Sequence, residues 1–434
     1  EVLASFDELN RYTAAGLMDA LGLEQLLTAG RAMPLETLYK LLTGIAGTHR
    51  PLFNGLIDIL CRAGYVEESS TGYRLGKRRS VSLLKHTSSF AHGRLLDICL
   101  NKLSTVLRGE LSAPEVLFPG GTLDLVEPIY RGNPIVDCFN TILADALKAY
   151  LAEAGLKHRP IRILEIGAGT GSATDALLPI LQTYEGEVIY DYTDVSEVFL
   201  KQAKLKYQDS GISINYRLLD IGAWEENDPS WCAYDVVVAS NVLHATGSIR
   251  GTLQAVHQLL EDEGHLLMVE ITTVMDFNTA TFGLLEGWWL FEDGDCRLPH
   301  SPLIGKVEWE RLIAEAGFTQ ITTPGVSGDS KSAPPIHVFT AVNCRIEHTE
   351  KNSSATQGLG ETIFSVMGGL LGMRSDDFNA QTSFRDIGVD SIQSIQVIDG
   401  INEALGIRLK SVDLFNYTTV AKLEAFIRKA FPEM

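Results

Sequence analysis

His244 and Glu270 are the two side chains in this sequence whose types and settings fit proton transfer. The histidine lies in Ala239-Ser240-Asn241-Val242-Leu243-His244-Ala245-Thr246, and the glutamate in Leu267-Met268-Val269-Glu270-Ile271-Thr272. Each segment is a short apolar run that breaks off in polar residues, the pattern of a buried strand and the loop at its tip. Consecutive strands usually lie side by side, ~4.8 Å apart, so the pattern predicts an imidazole and a carboxylate facing each other above one crevice. An imidazole so placed can accept a proton as general base. A carboxylate on its far nitrogen fixes the tautomer and stabilises the imidazolium. A lone histidine is more simply a core ring satisfied by backbone, but the glutamate at the neighbouring strand tip argues against that here.

A second constellation precedes this pair. Leu164-Glu165-Ile166-Gly167-Ala168-Gly169-Thr170-Gly171 follows an apolar run and opens a helical one. Gly167, Gly169 and Gly171 let the backbone turn sharply and approach a ligand without a β-carbon in the way. The following helix offers unpaired amides. A dinucleotide fingerprint requires Gly or Ala three residues after its second glycine, and Ser172 stands there. Glu165, just ahead of the loop, suits a cationic ligand and repels a pyrophosphate. Asp194, in YDYTDVS, ends the second strand, where a carboxylate accepts hydrogen bonds from a ribose diol. Asp220, in RLLDIG, falls near the end of the third strand, beside the expected adenine, and Asn241 joins these as a cofactor-binding residue. Either aspartate alone reads as a helix cap. Three such features at successive strand ends predict S-adenosylmethionine.

The elements that position these residues follow from the hydrophobic pattern. Residues 1–125 read as a helical subdomain, with Leu38, Leu41, Leu42 and Ile45 at three- and four-residue steps. From Pro51 to Leu75 an apolar helix, a short strand-like run, a Gly72 turn and a second run suggest a winged-helix element, expected to pack or to shape a substrate site rather than to bind DNA. Residues 126–345 alternate strands and helices, which implies an α/β, Rossmann-like parallel sheet with helices on both faces and a ligand at the C-terminal strand ends. The strands are read at 161–166, 187–192, 234–239 and 265–271, and the helices at 173–181, 197–207 and 249–260. Residues 346–358 are polar and read as a flexible linker, and 359–434 as a separate unit of four helices.

Composition excludes several function classes. Thirty-six basic against 55 acidic side chains leave a net charge of −19, which disfavours nucleic acid. The densest basic run, Lys77-Arg78-Arg79, reads as a solvated turn. The six cysteines have no CxxC spacing, which argues against a structural zinc site and fits a reducing cytoplasm. No apolar run approaches the ~20 residues of a membrane span. The chain opens within a helical pattern, as a segment excised from a longer protein would.

The motifs NVLHAT, VEIT and FGLLEGWWLFEDG (282–294) together resemble the C-methyltransferase domains of polyketide synthases, and the resemblance covers most of 1–345. It implies that His244 and Glu270 form a dyad that removes the α-proton of a β-ketoacyl thioester, whose enolate then takes the methyl group. Tyr130, in GTLDLVEPIYRGNP, is similar to a tyrosine that family members place over the active site, and Trp288, Trp289 and Phe291 are expected to wall an acyl pocket. FRDIGVDSI (384–392) resembles the attachment motif of acyl carrier proteins over essentially all of 359–434. That implies 4′-phosphopantetheine on Ser391, a β-ketoacyl chain as cargo, and the other domains of a synthase as partners. Two rivals are a catalytically inactive methyltransferase-like scaffold that docks the carrier, and an O-methyltransferase. The first conflicts with the intact loop and dyad, and the second leaves the carrier idle.

Overall fold

A computed structural model describes residues 2–27, 32–44, 49–77, 91–154, 159–224, 231, 233–325 and 335–344, and parts of 359–430. Arg78, Arg79 and the expected linker 346–358 lie outside the described residues. The chain divides into two compact units, Glu1–Ile346 and Glu347–Met434.

The first unit opens with helices α1 (Val2–Ala20), α2 (Leu23–Leu26), α3 (Leu35–Thr43) and α4 (Arg50–Arg62). A hairpin of β1 (Val66–Ser69) and β2 (Gly72–Leu75) follows, with a bridge from Met33 to Tyr73 beside it. This is the helix-and-wing element expected from the sequence. Helices α5 (Ala91–Leu107), α6 (Ala113–Leu117), α7 (Glu127–Tyr130) and α8 (Pro134–Ala154) lead to the sheet. The helices bury one face each because their apolar residues recur at helical spacing; α4 buries Leu52, Phe53, Leu56, Ile57, Ile59 and Leu60. Each such side chain contributes ~1.5–3 kcal/mol on leaving water.

The sheet has seven strands. β3 (Ile161–Ile166), β4 (Val188–Asp194), β5 (Ser213–Leu218) and β6 (Tyr234–Ser240) alternate with α9 (Ser172–Gln182) and α10 (Glu197–Lys206). Then come α11 (Ile249–Leu259), β7 (Leu260–Ile271), α12 (Asp276–Ala280), α13 (Lys306–Glu315), β8 (Phe318–Thr322) and β9 (Ile336–Asn343). The strand order is β5-β4-β3-β6-β7-β9-β8. An all-parallel sheet was expected, and the structure corrects this: β9 runs antiparallel to both β7 and β8, so the sheet is mixed. Two separate apolar cores cover its faces, one beneath α8 and α9 and one beneath α11 and α13. The chain order reverses between β3 and β6, and their C-terminal ends open the crevice in which such sheets bind ligands. The segment after β7 leaves the sheet altogether. Phe277, Ala280 and Leu284 are buried in the core of the N-terminal helices, and Arg62 of α4 pairs with Asp276 at 2.8 Å. That shared core forms a roof over the strand tips.

In the second unit, α14 (Ser391–Leu405) and α15 (Val420–Ala430) pack around Ile363, Met367, Phe384, Val397, Ile398, Ile401, Leu423 and Ile427. Asn402 of α14 staples Leu409 through both backbone groups, at 3.0 and 2.6 Å. Ile398 and Ile401 are buried as the expected apolar face requires. Gly388 and Asp390 of the attachment motif, and the helix end expected at 368–373, lie outside the described residues.

Candidate active site

The glycine loop joins β3 to α9 with Gly167, Gly169 and Gly171 all in the left-handed region, at φ 58°, 55° and 75°. At Gly167 the need for glycine is also steric, since a β-carbon would lie 2.2 Å from Val242 Cγ2. The loop is braced from the sheet side. Ala168 N donates to Thr193 O at 2.9 Å, Tyr192 Oη donates to Gly169 O at 2.8 Å, and Tyr207 Oη donates to Gly171 O at 3.0 Å. Asp194, at the tip of β4, accepts from Gly169 N at 2.9 Å through Oδ2 and from Ser196 N at 2.8 Å through Oδ1. Burial raises its pKa, and the backbone amides partly offset this. Asp220 accepts from Gly222 N at 3.0 Å, capping a single helical turn. Asp220 therefore does act as a cap, whereas Asp194 ties the glycine loop to the turn after β4, and both border the cavity above the loop.

That cavity has a volume of about 590 Å³ and is bounded by the glycine loop, Asp194, Asp220 and Asn241, with Phe199, Leu219 and Ile221 as an apolar wall. Acidic groups, an apolar wall and a floor with glycine at 167 and 169 fit a cationic nucleoside. Glu165 also borders this cavity. It is 1% exposed and its Oε2 accepts from Thr174 at 2.5 Å and Tyr190 at 2.7 Å, beneath the loop. Burial pushes its carboxyl up to about 7, against the pull of those two hydroxyls.

The dyad residues meet as their strand positions predict. β6 and β7 are parallel neighbours, with Ser240 opposite Val269. Beyond that pair Asn241 turns into the left-handed region, φ 53°, which asparagine tolerates better than most residues. Its N–H donates to Val269 O at 2.7 Å and its Oδ1 accepts from Ile271 N at 3.1 Å, clamping the two tips together. One helical turn, Leu243–Ala245, then carries His244 over Glu270. His244 Nδ1 lies 2.6 Å from Glu270 Oε2, and Leu243 N donates to Glu270 Oε1 at 3.0 Å. Glu270 is fully buried and His244 is 6% exposed. The carboxylate is thus held at both oxygens, and Nε2 is the ring nitrogen left for a substrate.

A smaller cavity of about 60 Å³ adjoins His244, lined also by Tyr130, Asn241, Asn278, Trp288 and His92. Tyr130, Asn241 and Phe282 border both cavities, so the two adjoin. Tyr130 is held by a relay: Asn140 Nδ2 donates to Ser172 Oγ at 2.8 Å, and Ser172 Oγ donates to Tyr130 O at 2.6 Å. The residue that breaks the dinucleotide pattern therefore ties the glycine loop to the roof. Burial raises the Tyr130 hydroxyl to about 12. Of the three expected wall aromatics, Trp288 stands edge-on to His244 with ring centres 6.1 Å apart. Trp289 instead donates to Gly283 O and packs on the helical core, and Phe291 lies beside Arg297.

Sequence reasoning missed Arg297. Its buried guanidinium donates to the carbonyls of His244 at 2.6 Å, Pro302 at 2.7 Å and Thr246 at 3.0 Å, and pairs with Asp293 at 2.6 Å. It fixes the turn that carries His244. Its motif, FEDGDCR, was visible in the sequence, but nothing local indicated that the arginine folds back across 53 residues.

The mixed sheet, the glycine turn and the acidic strand tips define a class I S-adenosylmethionine-dependent methyltransferase, joined to a carrier domain that takes 4′-phosphopantetheine. Residues 164–266 match the family described as methyltransferase domain, and 361–427 match the phosphopantetheine attachment site. The crystal structure of the DszA carbon methyltransferase is similar, with a TM-score of 0.71 and 33% identity over 79% of this chain and 92% of that one. Polyketide methyltransferase ustM of Ustilaginoidea virens is 30% identical over 69% of this chain and 70% of its own length. Polyketide synthase PksR of Bacillus subtilis is 31% identical over 84% of this chain. This chain belongs to the polyketide synthase carbon methyltransferases. It spans only 16% of the length of PksR. Among the described residues, no helix is long and apolar enough to cross a membrane.

Proposed function

We propose that this chain transfers a methyl group to the α-carbon of a β-ketoacyl thioester, carried on Ser391 or on a sister carrier, with His244 as general base. The observation that carries the reading is the 2.6 Å contact between His244 Nδ1 and a fully buried Glu270 at the tips of β6 and β7. S-adenosylmethionine, when bound, supplies an electrophilic methyl group on a positively charged sulfur. Gly167, Gly169 and Gly171 give it a floor, Asp194 would hold the ribose diol, and Asp220 with Leu219 and Ile221 would flank the adenine. Glu165 borders the cavity from below the loop, and Asn241 lines the passage between the cavities.

The substrate's own chemistry sets the demand on the base. A β-carbonyl already acidifies the α-carbon, so an imidazole suffices. His244 Nε2 takes the α-proton as the Cα–H bond breaks, and the electron pair moves into the enolate and then into the new carbon–carbon bond, while the methyl carbon's bond to sulfur breaks and leaves its electron pair on the sulfur. Glu270 accepts from Nδ1–H throughout and stabilises the imidazolium, while Arg297 keeps the turn in place. A base so placed contributes ~10²–10⁴-fold, and alignment of the reacting atoms provides much of the remainder. Tyr130, over the passage, closes the chamber against water. The fused carrier raises the substrate's effective concentration, and the other domains of a synthase would supply and remove the acyl chain. Free thiols at Cys61, Cys99, Cys138, Cys296 and Cys344 suit a reducing cytoplasm.

The test is to incubate holo protein with acetoacetyl-loaded carrier and methyl-labelled cofactor, then to locate the label. Label on the α-carbon supports the reading. Label on oxygen, or none despite bound cofactor, overturns it.

A further inference from the structure

The small cavity beside His244 contains polar groups that the fold leaves unused. Trp288 Nε1 is buried and has no hydrogen-bond partner among the described residues. Asn278 is 4% exposed, and its side-chain amide has no partner there either. His92, from the start of α5, packs on the ring of Phe277, with centres 4.9 Å apart, and its ring nitrogens have no hydrogen-bond partner among the described residues. Native structures pair nearly all buried polar groups, so the unpaired Trp288 Nε1, beside two further side chains that make no hydrogen bond at the same void, points to a ligand that pairs them. Their neighbour Asn133 makes the contrast. It lines the same cavity, yet its Nδ2 donates to Ile129 O at 2.9 Å and its Oδ1 accepts from Ile135 N at 3.0 Å, so it is committed to the backbone.

A void of about 60 Å³ is the room of roughly two water molecules. It accommodates a carbonyl and its α-carbon, not a chain. Resting on the function proposed above, the chemistry there requires something that His244 does not supply. When the base removes the α-proton, the electron pair settles largely on the carbonyl oxygens. Preorganised donors aimed at such an oxygen, in a site that excludes water, are among the strongest aids to the step.

We propose that His92 is a catalytic residue that donates a hydrogen bond to the enolate oxygen of the substrate, assisted by Asn278 and Trp288. Burial lowers the pKa of His92 to about 4, so the ring stays neutral while remaining a donor. Neutrality matters here, because a second imidazolium in this cavity would oppose the charge that His244 acquires. The contribution comes from the helical subdomain rather than from the sheet, which gives that subdomain a part in the chemistry.

The experiment uses the full holo chain with acetoacetyl on the carrier and reads exchange of the α-proton in heavy water without cofactor, methyl transfer, and cofactor binding by calorimetry. His92→Phe is expected to lose exchange and transfer together by ~10²–10³-fold, as removal of an oxyanion donor does, while binding S-adenosylmethionine as tightly as the parent. His92→Gln, which keeps a donor, is expected to recover much of the loss. Parental exchange in His92→Phe, or no recovery in His92→Gln, overturns the proposal. Should phenylalanine at 92 abolish cofactor binding, Asn278→Leu is read in the same assays: slowed exchange supports the donor set, and parental exchange overturns it. If the parent itself places label on oxygen, the function proposed above fails. If the parent labels carbon and His92→Phe is undiminished, only the role of His92 fails.

Discussion

Glu270→Gln separates an orienting carboxylate from a merely structural one. In the parent, Oε2 accepts from His244 Nδ1 at 2.6 Å and Oε1 accepts from Leu243 N at 3.0 Å, and both partners are buried. Glutamine has the same shape but only one acceptor. The Leu243 N–H is an obligatory donor, so the amide oxygen turns to it and the NH₂ faces Nδ1. The ring must then present Nδ1 as an acceptor, which moves its proton to Nε2, the nitrogen that has to be bare. The variant also removes the charge that stabilises the imidazolium. The expected loss is most of a general base's contribution, ~10²–10⁴-fold in kcat, or ~3–5 kcal/mol of barrier. KM for the loaded carrier and cofactor affinity should hold, because neither ligand is expected to touch Glu270. Single-turnover methyl transfer on the acetoacetyl holo protein measures this directly, with calorimetry for the cofactor. A variant with near-parental kcat would refute the tautomer argument. Loss of cofactor binding in step with kcat would refute the assignment of Glu270 to the base.

The remaining predictions probe the floor, the buried acid and the carrier. Gly167→Ala must place a β-carbon 2.2 Å from Val242 Cγ2 at φ 58°; the backbone cost alone is ~1–2 kcal/mol, and calorimetry should show S-adenosylmethionine affinity reduced by about tenfold or more. Glu165→Gln tests the pKa of about 7. The unfolded carboxyl ionises near 4.5 and the buried one only near 7, so the parent loses stability as pH rises between those values. The glutamine variant's advantage should be absent at pH 4 and full above pH 7, on the order of 3 kcal/mol, and denaturant melts that show the advantage shrinking with pH would contradict it. Ser391→Ala should gain no mass on treatment with a phosphopantetheinyl transferase and should lose methylation in cis, and a separately supplied loaded carrier should restore turnover.

Much of the sheet was legible because buried strands are dense in β-branched residues. β3 matches its sequence reading at both ends, and β4 and β6 shift by one or two residues. β7 begins earlier than expected, at Leu260, because α11 passes into it with no intervening loop. β5 escaped a bounded reading since SINYRL mixes polar and apolar positions at a sheet edge. The reversal of β9 was hidden because an antiparallel neighbour needs no crossover helix, so no βαβ pattern marks it. The dyad was readable because two consecutive strand tips are neighbours by rule. His92, Asn278 and Arg297 were not, since each reaches the site through packing between distant segments. Glu165 illustrates a subtler limit: its position was found, but its hydrogen bonds to Thr174 and Tyr190 depend on which side of β3 it points to.

The layout of floor and roof bears on how such a catalyst can change over evolution. Loop, aspartates and dyad all belong to the sheet, whereas most of the ceiling over the smaller chamber is made by α5, α7 and the stretch around 275–289. Variation confined to those overhead pieces can resize the space for an acyl group while the methyl-donor cradle stays intact. The seam between the two inventories includes the Asn140–Ser172–Tyr130 relay and the Arg131–Asp175 pair, and substitutions there should be tolerated less well than changes elsewhere overhead.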